Sequence, residues 1–474
     1  GGTVPTPHID SIGRDGVDFV RGYAGNATCA PSRAAIMTGR YPTRFGFEFT
    51  PAPVGFARMV GTDSEPGDIV KPKFFSERIK EMPPGSTAAN PAAVNELSMP
   101  AGEITIAEVL KARGYHTVHL GKWHLGGKAG SRPEDQGFTE SLGFIAGGAM
   151  FLPEKDPGVV NAKQDWDPID RFLWPNLPYA VQFNGSAMFR PKGYMTDYLT
   201  DEAVKAIKAN RNRPFFIYYA PNAIHTPLQA KKEDYDALPE IKDHRLRVYG
   251  AMARNLDHNV GRILQTLKDE GLDQNTLVIF TSDNGGAGYV GLPDINKPYR
   301  GFKSTFFEGG IKAPFFMRWP AAIPAGSRYP YPVGHVDIFA TAAGAAGAGV
   351  PTDRKIDGVD LTPFVQGKNP ARPHQVMFWR SGQYKVVLDG DWKLQSNEAR
   401  DKVWLFDMAN DPTEQRDLSK SQPEKVKAML AMIAAQDAAS VKPIWPSLLQ
   451  GPVFIDKPGG VPQKAGDEYI LWDN

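Results

Sequence analysis

The sequence predicts an α/β fold: a large, mostly parallel central sheet sandwiched by helices, with a small C-terminal antiparallel sheet plus helix. Three observations carry this. Apolar strand-like runs alternate with amphipathic helix-like runs through most of the chain, as βα units do. The polar, glycine-rich clusters fall just after the apolar runs, at the carboxyl ends where open α/β sheets gather their ligands. From about residue 372 the texture changes to short alternating strands around Asp389-Gly390, a hairpin signal.

The elements follow in order. Residues 102–113 predict a helix, with Ile106, Val109 and Leu110 on one face and Gly114 as its stop. His116–Leu120 is a short strand, and Gly121-Lys122-Trp123-His124 follows it. A helix over 195–209 leads into the apolar run 214–219, which predicts a buried strand, with His225 in the loop beyond. Residues 245–269 place Tyr249, Met252, Leu256, Val260, Ile263 and Leu267 at spacings of three and four, and Gly271 closes that helix. Residues 276–281 form another apolar strand, and Ser282-Asp283-Asn284-Gly285-Gly286 lies at its end. Residues 384–388, 392–394 and 403–407 are strands, and 422–438 is a helix. These divisions suggest a catalytic unit over 1–371 and a C-terminal subdomain over 372–474. Residues 50–100 read as a Pro-interrupted irregular insertion near the site mouth, 144–190 as an aromatic, loop-rich stretch, and 440–474 as an extended arm on the site rim or on a neighbour.

Composition bounds the function. The 474 residues are 41% hydrophobic, enough for a sizeable core. Fifty-four Lys+Arg against fifty-three Asp+Glu leave a net charge of +1, which argues against a nucleic-acid or acidic-membrane partner. A single cysteine, Cys29, excludes an intramolecular disulfide. The longest Ala/Gly run, 340–350, is too short to span a bilayer.

That lone cysteine sits in Asn-Ala-Thr-Cys-Ala-Pro-Ser-Arg-Ala-Ala-Ile-Met-Thr-Gly-Arg, residues 26–40. Thr28 or Cys29 can cap a helix, Pro31 suits its first turn, Gly39 stops it and Pro42 forbids its return. Cys29 is therefore expected at a helix N-terminus, where free N–H groups attract an anion, with the Arg33 guanidinium one turn on.

Cys29-Ala30-Pro31-Ser32-Arg33 followed by Met37-Thr38-Gly39-Arg40 resembles the signature of the formylglycine-dependent sulfatases, of the alkaline phosphatase superfamily. Thr6-Pro7-His8-Ile9-Asp10, Gly121–Gly126, His225-Thr226-Pro227, Ser282–Gly286, Arg300–Lys303 and Glu308–Pro314 resemble further motifs of that family, in its order. His8 stands where the family has asparagine and is expected to be structural. The resemblance covers about residues 3–418 and implies a sulfuric ester hydrolase of arylsulfatase type, acting on a small sulfate ester. In the family the cysteine is oxidised by a maturation enzyme to formylglycine, whose hydrate is the nucleophile.

By the same resemblance, Arg33 holds that hydrate, Lys122 and Lys303 clamp sulfate, His225 protonates the leaving oxygen and His124 holds or deprotonates the nucleophile. Asp283 and Asn284, with an oxygen of modified Cys29, would hold one Ca²⁺; oxygen donors also admit Mg²⁺ or, less readily, Mn²⁺. The family completes this site with two adjacent aspartates on an upstream strand. The sequence begins after that point, so a longer polypeptide is expected, because a missing strand would leave a hole at the sheet centre. A periplasmic or secreted location is favoured over a cytoplasmic one, and the C-terminal arm could serve an oligomer. Two other functions fit the residues: hydrolysis of a phosphonate monoester or phosphodiester at the same site, and non-catalytic binding of a sulfated ligand.

Overall fold

The computed structural model describes residues 4–61 and 70–474. Eight strands in two four-stranded sheets form its central layer: β1 (Val17–Phe19), β2 (His116–Lys122), β3 (Glu140–Phe144), β4 (Gln182–Phe183), β5 (Phe215–Ala220), β6 (Val278–Thr281), β7 (Phe315–Arg318) and β8 (Ser327–Tyr329). One sheet has the order β4-β3-β2-β5, with β2 parallel to both β3 and β5 and β4 antiparallel at the edge. The other has the order β6-β7-β1-β8, antiparallel except where β1 meets β8.

The expected α/β architecture is present, but the central layer is split. Strands β5 and β6 both line a cavity of about 1440 Å³. The run 214–219 is expected to be a buried strand; most of the observed strand Phe215–Ala220, and all of Val278–Thr281, is only half-buried, because the side chains border this space. The cavity lies between the two sheets, against the edge strand β5 of one and the edge strand β6 of the other.

Local chemistry explains the helices. Helix Ile106–Ala112 starts at a capping box: Glu108 N–H donates to Thr105 Oγ1 at 3.3 Å, and Thr105 N–H donates to Glu108 Oε2 at 2.7 Å. The 26-residue helix His244–Asp269 begins where Asp243 accepts from Leu246 N–H at 2.7 Å, and buries Val248, Met252, Val260 and Leu267. It packs on helix Met195–Asn210. None of the described helices is long and apolar enough to cross a membrane.

Two stretches are more ordered than the sequence suggests. Within 144–190, Asp167 caps a helix over Pro168–Asn176 by accepting from Ile169 and Asp170 N–H. Within the 50–100 insertion, of which 62–69 lie outside the described residues, Val54–Val60 is helical and Lys73–Phe74 pairs with the C-terminal arm.

The C-terminal sheet is an antiparallel meander of Val376–Ser381, Tyr384–Asp389, Trp392–Asn397 and Lys402–Asp407, with helix Pro423–Ala438 packed on it. The hairpin expected at Asp389-Gly390 is there, with Gly390 at φ +59°. A buried charge cluster joins this sheet to the larger α/β part of the chain. Lys393 Nζ lies 2.8 Å from Glu308 Oε1 and 2.9 Å from Glu414 Oε1, and Tyr23 OH and Gln395 Nε2 donate to the same two carboxylates. Buried charges are tolerated when each carboxylate oxygen has a donor, and Glu308 N–H supplies the last one to Glu414 Oε2.

A second tie is His374, whose Nε2 lies 2.7 Å from Oδ1 of the fully buried Asp337. Burial alone pushes His374 down; the Asp337 charge and hydrogen bond outweigh it and leave the imidazole above its ordinary value. A histidine raised on folding contributes stability that is complete below its unfolded pKa of about 6.5 and lost as pH rises through the folded value. The destabilisation caused by His374→Gln, read as a Tm difference from wild type, should therefore be larger at about pH 6 than at about pH 9. A Tm difference that is flat with pH would remove this ion pair from the account.

Candidate functional site

The helix Cys29–Thr38 organises the site. Thr28 enters it in extended conformation, and Gly39 ends it at φ +67°. All ten of its residues are buried, and Cys29 opens its first turn as the sequence predicts. Asn26 shapes the approach by accepting from Thr28 N–H at 3.2 Å.

Arg33 reaches from the helix to two strand ends. Its Nε donates to Asp283 Oδ2 at 2.8 Å and its Nη1 donates to the Lys122 carbonyl at 2.8 Å. Tyr218 OH lies 3.3 Å from the same Nη1. Lys303 arrives from the opposite side. Its Nζ is 3.2 Å from Cys29 Sγ and 3.2 Å from His225 Nε2. The Lys303 loop is tied at both ends of the site, since Lys303 N–H donates to the Gly286 carbonyl and Ser304 N–H to the Ala27 carbonyl. Nδ1 of His225 lies 2.6 Å from the Thr226 carbonyl, so it carries the proton, and Nε2 is left to accept from Lys303.

His124 is buried with φ +62°, a backbone position that side-chain-bearing residues seldom adopt. Glycine at 147 makes room for the ring: a Cβ there would fall 2.8 Å from its Cε1. The structure thus brings Cys29, Arg33, Lys122, His124, His225, Asp283 and Lys303 into one charge-coupled cluster. Asn284 is the next residue after Asp283, and its Oδ1 is buried without a hydrogen-bond partner among the described residues.

Electrostatics in the cluster follow from burial and crowded positive charge. Burial pushes the Cys29 thiol up, but the charges of Lys122 and Lys303 outweigh it and hold the group well below its ordinary value. Burial lowers Lys122 to about 8 and His124 to about 4, the latter with help from the Lys122 charge. His225 is lowered by burial and then by Lys303, so both histidines rest neutral near pH 7. Asp283 is pushed up by burial and by Cys29, and Arg33, Lys122 and Lys303 bring it net downward.

Asp283 and Asn284 offer hard oxygen donors of the type Ca²⁺ or Mg²⁺ takes. The orphaned Asn284 Oδ1 fits a cation, as an unmet buried acceptor otherwise costs stability. The two residues are a partial set: no group of three or more His, Cys, Asp or Glu able to hold a metal occurs among the described residues.

Three site residues escape sequence reasoning. His335 links the Cys29 helix to β6: its Nδ1 accepts from Gly25 N–H at 3.2 Å and lies 3.0 Å from Ser32 Oγ, while Nε2 lies 3.0 Å from Thr281 Oγ1. Tyr218 and Tyr289 approach Arg33 and Lys303. Nothing in their local sequence separates them from the other tyrosines. His8 is exposed on helix Pro7–Arg14, away from the cluster, as expected of a structural residue.

Known proteins share this arrangement of chain. The family model described as Sulfatase matches residues 1–348. N-acetylgalactosamine-6-sulfatase of Sus scrofa is 31% identical over 94% of this chain and 83% of its own length. Steryl-sulfatase of Homo sapiens is 29% identical over 85% of this chain and 72% of its own. The crystal structure of Ps i-CgsB in complex with k-i-k-neocarrahexaose superimposes with a TM-score of 0.75 at 28% identity, covering 94% of this chain and 90% of that one. The buried Cys29 helix, the paired lysines and the strand-end carboxylate lie on an alkaline phosphatase-like fold, in agreement with these matches: the chain belongs to the sulfatase family of sulfuric ester hydrolases.

Proposed function

We propose that this sulfatase hydrolyses the sulfate ester of an alcohol, using Cys29 in its formylglycine form. The observation that carries the reading is the meeting of Lys303 Nζ with Cys29 Sγ and His225 Nε2, each at 3.2 Å. The sulfur marks where the reacting oxygen of the modified residue would lie. Converted to formylglycine, Cys29 would supply a hydrated aldehyde that can attack sulfur and later release sulfate by re-forming the carbonyl. Ca²⁺, held in part by Asp283 and Asn284, would supply positive charge beside that residue.

The chain's own groups do the remaining work. Lys122 and Lys303 neutralise the sulfate oxygens, and at a site shielded from water such donors gain strength. Arg33 is pinned by Asp283 and holds the nucleophile's position. His225, protonated when substrate is bound, gives its Nε2 proton to the leaving oxygen; His124 takes the proton from the nucleophile. In this reading residues 1–371 supply the reacting groups and 372–474 brace the loops that carry them.

The relatives named for N-acetylgalactosamine-6-sulfate and steryl sulfate, and the neocarrahexaose complex, support an alcohol as leaving group. An alcohol is a poor leaving group, which is the case where a general acid matters most. The phosphonate monoester hydrolase SpPMH matches at 18% identity and a TM-score of 0.58, a likeness of fold that gives the phosphonate reading no further support.

An intact peptide mass across Cys29 in active material should show the aldehyde; an unmodified thiol in fully active enzyme would sink the proposal. Lys303→Ala should lower kcat/KM by about 10²–10³, and a loss under about threefold would remove Lys303 from the sulfate clamp. His225→Ala should impair esters of poor leaving groups far more than those of good ones. Equal losses on both would contradict its role as acid.

A further inference from the structure

Tyr289 stands in the turn Gly288–Val290, six residues beyond Asp283. Its hydroxyl oxygen accepts from Lys303 Nζ at 3.4 Å, and the Lys303 ammonium also sits 5.8 Å from the centre of its ring. An ammonium has three N–H donors. Those of Lys303 are matched by Cys29 Sγ, His225 Nε2 and Tyr289 OH. Because the tyrosine accepts in that contact, its own O–H proton is still to be placed, and it has no acceptor among the described residues.

The position of this hydroxyl is built, and the builder is the C-terminal arm. Trp166 Nε1 donates to the Tyr289 carbonyl at 3.2 Å, and Gly459 N–H donates to the Gly288 carbonyl at 2.7 Å. Arg245 lies over the Trp166 ring at 4.3 Å. A Cβ at Gly459 would fall 3.0 Å from both Tyr289 Cα and Trp166 Nε1, so a side chain there would have to push both of them back. The same arm grips the Lys303 loop: Gly301 N–H donates to the Ile455 carbonyl at 3.0 Å, and Arg300 Nε donates to Asp456 Oδ1 at 2.7 Å. One segment therefore sets Tyr289 and Lys303 relative to each other.

We propose that Tyr289 is a further substrate-contacting residue, which accepts from Lys303 and donates its O–H to an oxygen of the bound sulfate group. The proposal deepens the sulfate-ester reading and rests on it for the identity of the anion. A neutral hydrogen bond of this kind is worth about 0.5–1.5 kcal/mol, or roughly 2- to 13-fold.

The test is Tyr289→Phe, which keeps the ring and removes only the hydroxyl. Inorganic sulfate is the probe, with its Kd measured calorimetrically on wild-type and variant protein, alongside kcat/KM on a sulfate ester. Weaker sulfate binding by about fivefold, with Tm unchanged, is the expected result. Sulfate binding equal within about twofold overturns the proposal whatever happens to the rate, and so does a wild type that binds no sulfate. Gly459→Val, which pushes Tyr289 aside, should weaken sulfate binding in the same direction, and little further when combined with Tyr289→Phe. Failure of the function itself reads differently, as wild-type protein that binds sulfate but cleaves no sulfate ester.

Discussion

Three cations crowded at one helix N-terminus, Arg33 and Lys122 buried and Lys303 half-buried, are the constraint on which this molecule is arranged. Arg33, Lys122 and Lys303 converge with the free N–H groups of the first turn of Cys29–Thr38. Only Asp283 and the acidified thiol oppose them within the cluster. Taking a charged group out of water costs several kcal/mol unless an opposite charge meets it. An incoming tetrahedral anion meets that need, so binding energy is directed at the group that reacts. Burial first, and this surplus of positive charge second, keep His124 and His225 neutral at rest.

Holding cations together against their repulsion demands a stiff frame, and most of the close packing around the site serves it. The strand-end turn at Gly285 lies so near Gly309 that a Cβ would come within 1.8 Å of its carbonyl oxygen. The Lys303 loop is hydrogen-bonded to Gly286 and to Ala27. His335 ties the Cys29 helix to β6. Behind them, Lys393 with Glu308 and Glu414 locks the C-terminal sheet to the helical turn Glu308–Ile311. The C-terminal arm completes the frame by bracing Tyr289 and Arg300–Gly301.

Much of the site was legible in one dimension because its chemistry is local. A first-turn proline, a stop glycine and an arginine one turn on are all contained in residues 29–39, so Cys29 could be placed at a helix N-terminus from sequence alone, although Thr28 there makes no capping hydrogen bond. The amphipathic helices and the Asp389-Gly390 hairpin were legible for the same reason. The helix at Pro168–Asn176 was not, because an internal Pro175 and its aromatics obscure the periodicity while a single capping Asp167 starts it. The half-buried state of β5 and β6 was not either, since an apolar run reads alike whether it faces a core or a cavity.

The sequence by itself determined which groups are available: one thiol, its helix, the flanking lysines and histidines, and the oxygen donors at Asp283 and Asn284. Those follow from short-range rules of capping, periodicity and turn chemistry. Only the tertiary structure decided which groups meet. Lys303 and Cys29 are 274 residues apart, and the arm that seats Tyr289 comes from near the end of the chain. Such contacts depend on how layers pack, and packing sums many weak, non-local terms that no local pattern records.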